Sequence, residues 1–155
     1  MARMEDEEVV KTKTRKKTKK TRELLDEADR QMDNLRKQRE DYEDVLQDLM
    51  KQNDALGIKA AKNLRVSHVK FGEGRVVSEQ GKYIDVKFGN VIKKFVLPGA
   101  IADKHLKVND DETFKYYVQS NDIHNKILKV QMQIRSTDFA IERQEDVIEK
   151  LNMKA

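Results

Sequence analysis

Apolar residues spaced alternately three and four apart fill two stretches of this 155-residue chain. That spacing limits what the chain can fold into more than any other feature does. The first stretch runs Leu25, Ala28, Met32, Leu35, Arg39, Tyr42, Leu46, Leu49, Asn53, Leu56, and eight of these ten positions are apolar. The second runs Tyr116, Ser120, Ile123, Ile127, Val130, Ile134, Thr137, Ile141, Gln144, Ile148, Leu151, with eight of eleven apolar. A seam of this period puts its residues on one stripe of a helix and is the signature of a coiled coil. Helices are therefore expected over residues 21–57 and 111–155. Gly57 stops the first, and Asp110 or Asp111 caps the second, with Glu112 in its first turn. Neither helix can bury its stripe alone. An antiparallel hairpin within one chain is the simplest solution, and a register in which paired numbers sum to about 173 sets Asn53 against Ser120, Leu46 against Ile127 and Met32 against Ile141. Pairing between two chains satisfies the same heptads, so a monomer and a coiled-coil dimer are both open.

Two narrow seams need few apolar residues, and the composition agrees: 37% hydrophobic against 39% charged, for a net charge of +4. The charge is unevenly spread. Residues 1–22 hold nine Lys/Arg against four Asp/Glu, residues 23–57 five against eleven, residues 58–110 eleven against five, and residues 111–155 seven against eight. An acidic helix thus lies between two basic segments. Residues 1–20 read as a basic flexible tail, because the run Lys11–Arg22 has eight cations in twelve residues and no apolar side chain, and so cannot offset its ordering entropy. The cations at its core and at the start of the helix, Lys11, Lys13, Arg15, Lys16, Lys17, Lys19, Lys20 and Arg22, are the candidates for binding DNA or RNA phosphates. Folding back onto the acidic helix, or simply keeping the chain soluble, accounts for the same residues. No run approaches 18 apolar residues, so no membrane partner is expected and a cytoplasmic location is the default.

Between the seams the period changes. Arg65–Val69, Gly74–Glu79, Lys82–Phe88 and Val91–Leu97 are short runs rich in Val, Ile, Phe and Tyr, separated by glycine-containing turns. Ile84, Val86 and Phe88 alternate with Asp85 and Lys87, as in a half-buried strand. Leu106–Val108 is a candidate fifth strand. The fold class expected is α+β: a long antiparallel coiled-coil hairpin with a small antiparallel β-barrel over residues 58–110 inserted between its helices.

The run Val66-Ser-His68-Val-Lys-Phe71-Gly72-Glu-Gly74-Arg-Val76, followed by Tyr83-Ile-Asp-Val-Lys-Phe88 and Lys93-Lys-Phe95, resembles a Tudor-like module. Similar modules end the UvrD/PcrA group of bacterial helicases and recur in other bacterial proteins. The resemblance covers about residues 65–108 and implies a Src-homology-3-like barrel, used in the helicases as a docking element linked to RNA polymerase and nucleic-acid transactions. The helicase motor is missing, since no Gly-x-x-x-x-Gly-Lys-Ser/Thr loop occurs. Read from the residues themselves, Gly72 and Gly74 allow a tight bend with Phe71 packed beneath it. The exposed docking surface is expected to be Lys70, Arg75, Lys82, Tyr83, Lys87, Lys93 and Lys94, with Phe95 beside them. Cations interleaved with aromatics suit single-stranded nucleic acid, and they suit an acidic protein surface equally.

Catalytic chemistry finds no support in the sequence. Cysteine is absent, and His68, His105 and His124 lie far apart with no ligand pair at metal spacing. No catalytic residues, metal or cofactor are therefore expected. The expected function is that of a non-enzymatic adaptor that docks on nucleic-acid machinery through the barrel and the basic tail, with a protein such as RNA polymerase as partner. The helix–β–helix order also resembles prefoldin-like subunits, so a protein-binding scaffold or chaperone is the alternative.

Overall fold

A computed structural model of the chain describes residues 18–154. The class is α+β: a long helix α1 (Lys19–Leu56), four strands β1 (Arg65–His68), β2 (Gly72–Gln80), β3 (Tyr83–Phe88) and β4 (Val91–Val96), a single-turn helix α2 (Gly99–Ala102), and a long helix α3 (Asp111–Met153). None of the helices among the described residues is long and apolar enough to cross a membrane. The chain divides into two compact units, one made of the chain up to Val45 together with Val130 onward, the other of Leu46–Lys129.

In the first unit α1 starts two residues earlier than the heptads require. Thr18 supplies the reason: its Oγ1 accepts the backbone N–H of Thr21 at 3.1 Å, and its carbonyl accepts Arg22 N–H at 3.0 Å. A threonine in this position satisfies otherwise orphaned amides at a helix start. The seam residues are the ones withdrawn from solvent. Ala28, Met32, Val130 and Thr137 are buried, and Leu25, Leu35, Arg39, Tyr42, Ile134, Ile141, Gln144, Ile148 and Leu151 are half-buried. The three polar seam positions of this unit, Arg39, Thr137 and Gln144, are all hydrogen-bonded. Arg39 reaches Asp138 through Nε and Glu43 through Nη1. Gln144 donates to the Ala28 carbonyl at 2.8 Å, and Thr137 donates to the Gln133 carbonyl at 2.8 Å. The numbers of the bonded pairs 28/144 and 39/138 sum to 172 and 177, beside the 173 of the expected register.

The second unit is built on an open antiparallel sheet in the order β1-β2-β3-β4. It is not a closed barrel. The expected fifth strand contributes one bridge only, Ser67 with Lys107, closed by two 2.9 Å backbone bonds. Residues that follow Pro98 form the helical turn α2, where the sequence indicates only the end of a strand. Alternation decides the faces. Val66, Val76, Ile84, Val86 and Phe88 point to one side and join Ala61, Leu97, Ala100, Ile101, Leu106 and Tyr117 in the core. The β2–β3 register shifts between Val76 and Ser78, as it does at a bulge. Gly57 ends α1 with φ +77, and its carbonyl accepts the Tyr116 hydroxyl at 2.8 Å. Asp110 caps α3 by accepting Glu112 N–H at 3.1 Å and the Thr113 hydroxyl at 2.7 Å. The Thr113 bond, seconded by Glu112, holds the Asp110 carboxyl below its usual range.

Tyr117 breaks the pattern of satisfied groups. Its ring is 4% exposed, and its hydroxyl has no hydrogen-bond partner among the described residues. Burial, with smaller contributions from Glu79 and Tyr116, pushes its pKa up to about 12. A folded-state pKa above the unfolded value of about 10 means that the unfolded chain loses the proton first. Stability from this group is complete below pH 10 and falls between pH 10 and 12, by about 1.4 kcal/mol per pH unit at most. Tyr117→Phe removes the orphaned hydroxyl, so it is expected to unfold no more easily than the parent at pH 8. It is also expected to lose less stability than the parent between pH 10 and 12 in denaturant titrations.

Candidate functional site

The face of the sheet turned away from the core carries a row of cations. Register sets Arg65 of β1 opposite Arg75 of β2, and Arg75 opposite Lys87 of β3. The Ser67–Lys107 bridge adds Lys107 at the margin. These four side chains line a shallow cleft of about 330 Å³ together with Ser67, Glu73 and Asn109. All four are exposed, and among the described residues none enters an ion pair. Like charges directly opposite on neighbouring strands destabilise a sheet. Three in a row, with the single carboxylate of Glu73 among them, make a concentrated positive surface that an anion would neutralise. Chemically the cleft offers guanidinium forks and ammonium groups that suit phosphate or carboxylate oxygens.

The residues proposed from sequence for docking are divided by the fold. Arg75 and Lys87 are brought together in the row. Tyr83 and Lys94 share the same face nearer the β4 edge, with the Lys94 ammonium 5.8 Å from the Tyr83 ring centre. Lys93 points to the opposite side, where its Nζ lies 5.2 Å over Phe71. Lys70 and Lys82 sit in the β1–β2 and β2–β3 turns, and both are exposed. Phe95 is a packing residue. It is half-buried, and with Phe71, Phe88 and His68 it forms an aromatic cluster with ring centres 4.7 to 6.1 Å apart. His68 Nδ1 accepts the amides of Lys70 at 3.0 Å and Phe71 at 3.3 Å, which fixes the turn. Burial and the nearby Lys82 charge hold the His124 pKa below its ordinary value, so His124 adds little positive charge at neutral pH.

Sequence reasoning misses Arg65 and Lys107. Parity along β1 puts Arg65 on the solvent face, but its place beside Arg75 depends on the β1–β2 register. Of the tail candidates, Lys19, Lys20 and Arg22 lie in the first turn of α1, which contains no acidic residue. Cations there oppose the helix dipole. Lys11, Lys13, Arg15, Lys16 and Lys17 fall outside the described residues. No three His, Asp or Glu side chains among the described residues converge to hold a metal ion. Comparison with protein-family models, with curated proteins and with solved structures finds no match for this chain.

Proposed function

We propose that this chain is a non-enzymatic adaptor that docks on nucleic-acid machinery, with the cationic face of the sheet as its contact for a polyanion. The unneutralised row Arg65–Arg75–Lys87 carries the reading. A sheet that keeps like charges opposed without a counter-ion gives up stability, and phosphate contacts along a nucleic-acid backbone would recover it. The cations at the start of α1 and in the preceding segment extend the same affinity. Full or partial burial of every seam residue except the exposed Asn53 supports an antiparallel coiled-coil hairpin as the stalk. The aromatic cluster around His68, Phe71 and Phe88 supports a Tudor-like module built on the open four-stranded sheet. A cytoplasmic protein of this kind would hold a component such as RNA polymerase to DNA or RNA.

Affinity purification of the full chain from its own cells, with and without nuclease, tests the reading. Recovery of transcription, repair or ribonucleoprotein components is the expected result. If only unrelated client proteins are recovered, in a stable oligomer of this chain, the chaperone alternative replaces it.

A further inference from the structure

The sheet ends at β4 with a free edge, and the hydrogen-bond parity of the hairpin identifies which groups are free. Antiparallel strands bond through alternate residue pairs. Leu97 N–H donates to the Lys82 carbonyl at 2.8 Å. Counting back in steps of two, Ile84/Phe95, Val86/Lys93 and Phe88/Val91 are the bonded pairs. The amides and carbonyls of Ile92, Lys94 and Val96 therefore point away from β3, and among the described residues no backbone bond reaches them. Their surroundings are unusually apolar for an open edge. Ile92 is 58% exposed, Val96 49%, Val91 47% and Tyr83 53%. Lys93 and Lys94 stand in the middle of the strand, one on each face; Lys94 has Asp85 of β3 opposite it on the inner side, and among the described residues neither lysine enters an ion pair.

Lysines on an edge keep apolar strands from pairing with it. The same two lysines favour a strand that brings carboxylates opposite them. A second copy of β4 is a poor fit: the antiparallel register that engages all three free residues sets Lys94 against Lys94, with like charges in contact. A nucleic acid has no row of amides to match the edge.

We propose that the β4 edge is a docking site for an acidic, extended segment of a partner protein, which adds as a fifth antiparallel strand. The backbone of Ile92, Lys94 and Val96 holds the segment, carboxylates lie beside Lys93 and Lys94, and apolar side chains lie beside Val91, Ile92 and Val96. This is strand addition at an exposed edge. It deepens the docking half of the adaptor reading and rests on it only in taking the sheet as the docking element.

The probe is a capped hexapeptide, Val-Thr-Glu-Glu-Val-Val, titrated into the full chain and followed by NMR amide exchange. The expected result is slowed exchange at Ile92, Lys94 and Val96, with little change in β1. N-methylation of the third and fifth peptide residues, whose amides face β4, should weaken binding about tenfold or more, at roughly one net hydrogen bond each. Methylation of the second and fourth should change it less than about threefold. The Lys-for-Glu peptide should not bind. Binding indifferent to methyl position, the same protection from a single-stranded oligonucleotide, or protection that grows with protein concentration before peptide is added would each overturn the proposal. Ile92→Pro, which removes an outward amide and spares the β3 ladder, should weaken peptide binding about threefold or more, at roughly one net hydrogen bond. Should this variant unfold, the methylated peptides decide the question on the parent protein. Edge protection by the peptide without recovery of nucleic-acid machinery in the purification retires the adaptor reading alone, and the reverse pair of results retires the edge alone.

Discussion

Gly74→Ala is expected to destabilise the sheet unit by about 3 kcal/mol, the upper end of the range for overpacking a dense core. A methyl group at this position would lie 2.6 and 2.7 Å from two carbons of the Phe88 ring and 2.9 Å from the Lys87 carbonyl oxygen. The ring cannot retreat freely, because it is 5% exposed and packs between Phe71 and Phe95. The carbonyl belongs to the β2–β3 ladder, so relief requires the strands to part. For a unit of this size the loss corresponds to a melting temperature lower by roughly 15 °C. Gly72→Ala is the matched comparison. It has φ +79 and open space around the Cβ position, so its cost is the left-handed backbone alone, about 1 kcal/mol. Calorimetry of both variants checks the contrast. Equal costs would mean that the Phe88 ring does not press on β2.

That contrast also shows where sequence reasoning reaches and where it stops. The Phe-Gly-x-Gly turn is legible as a turn, and from sequence both glycines have the same reason to be there. In the fold they have two: Gly72 for its backbone angle and Gly74 for the ring above it. Period and alternation are local properties, so the seam residues and the inward set Ile84, Val86 and Phe88 can be named from spacing alone. The cation row is non-local. Arg65 and Arg75 are ten residues apart and meet only because the turn sets 65 opposite 75. Lys107 reaches the same cleft through a single bridge to Ser67 that no strand pattern announces. Likewise the parity that turns Lys93 over Phe71 and Lys94 toward Tyr83 separates two lysines that a charge count joins. The short helix after Pro98 is one turn long, too brief to leave a period in the sequence.

The cation row leads to the other large effect, and its two consequences have opposite signs. Arg75 lies between Arg65 and Lys87, so Arg75→Gln relieves both like-charge oppositions and is expected to stabilise the isolated sheet by about 0.5 kcal/mol. Its affinity for a polyanion should fall at the same time, by about tenfold at low salt. A residue kept for folding would show both changes in the same direction. Replacing Arg65, Arg75 and Lys87 together by glutamine extends the effect to three phosphate-binding cations and leaves those at and before the start of α1 untouched.

The salt dependence of binding to a short DNA duplex, measured side by side for the parent chain and this triple variant, tests the cationic face most directly. If the row holds phosphates, the slope of log K against log salt concentration should be shallower in the variant by about 2 to 3, close to 0.9 for each phosphate that is no longer neutralised. Parallel lines for the two proteins would contradict the account, because they would mean that Arg65, Arg75 and Lys87 release no counter-ions when the chain binds.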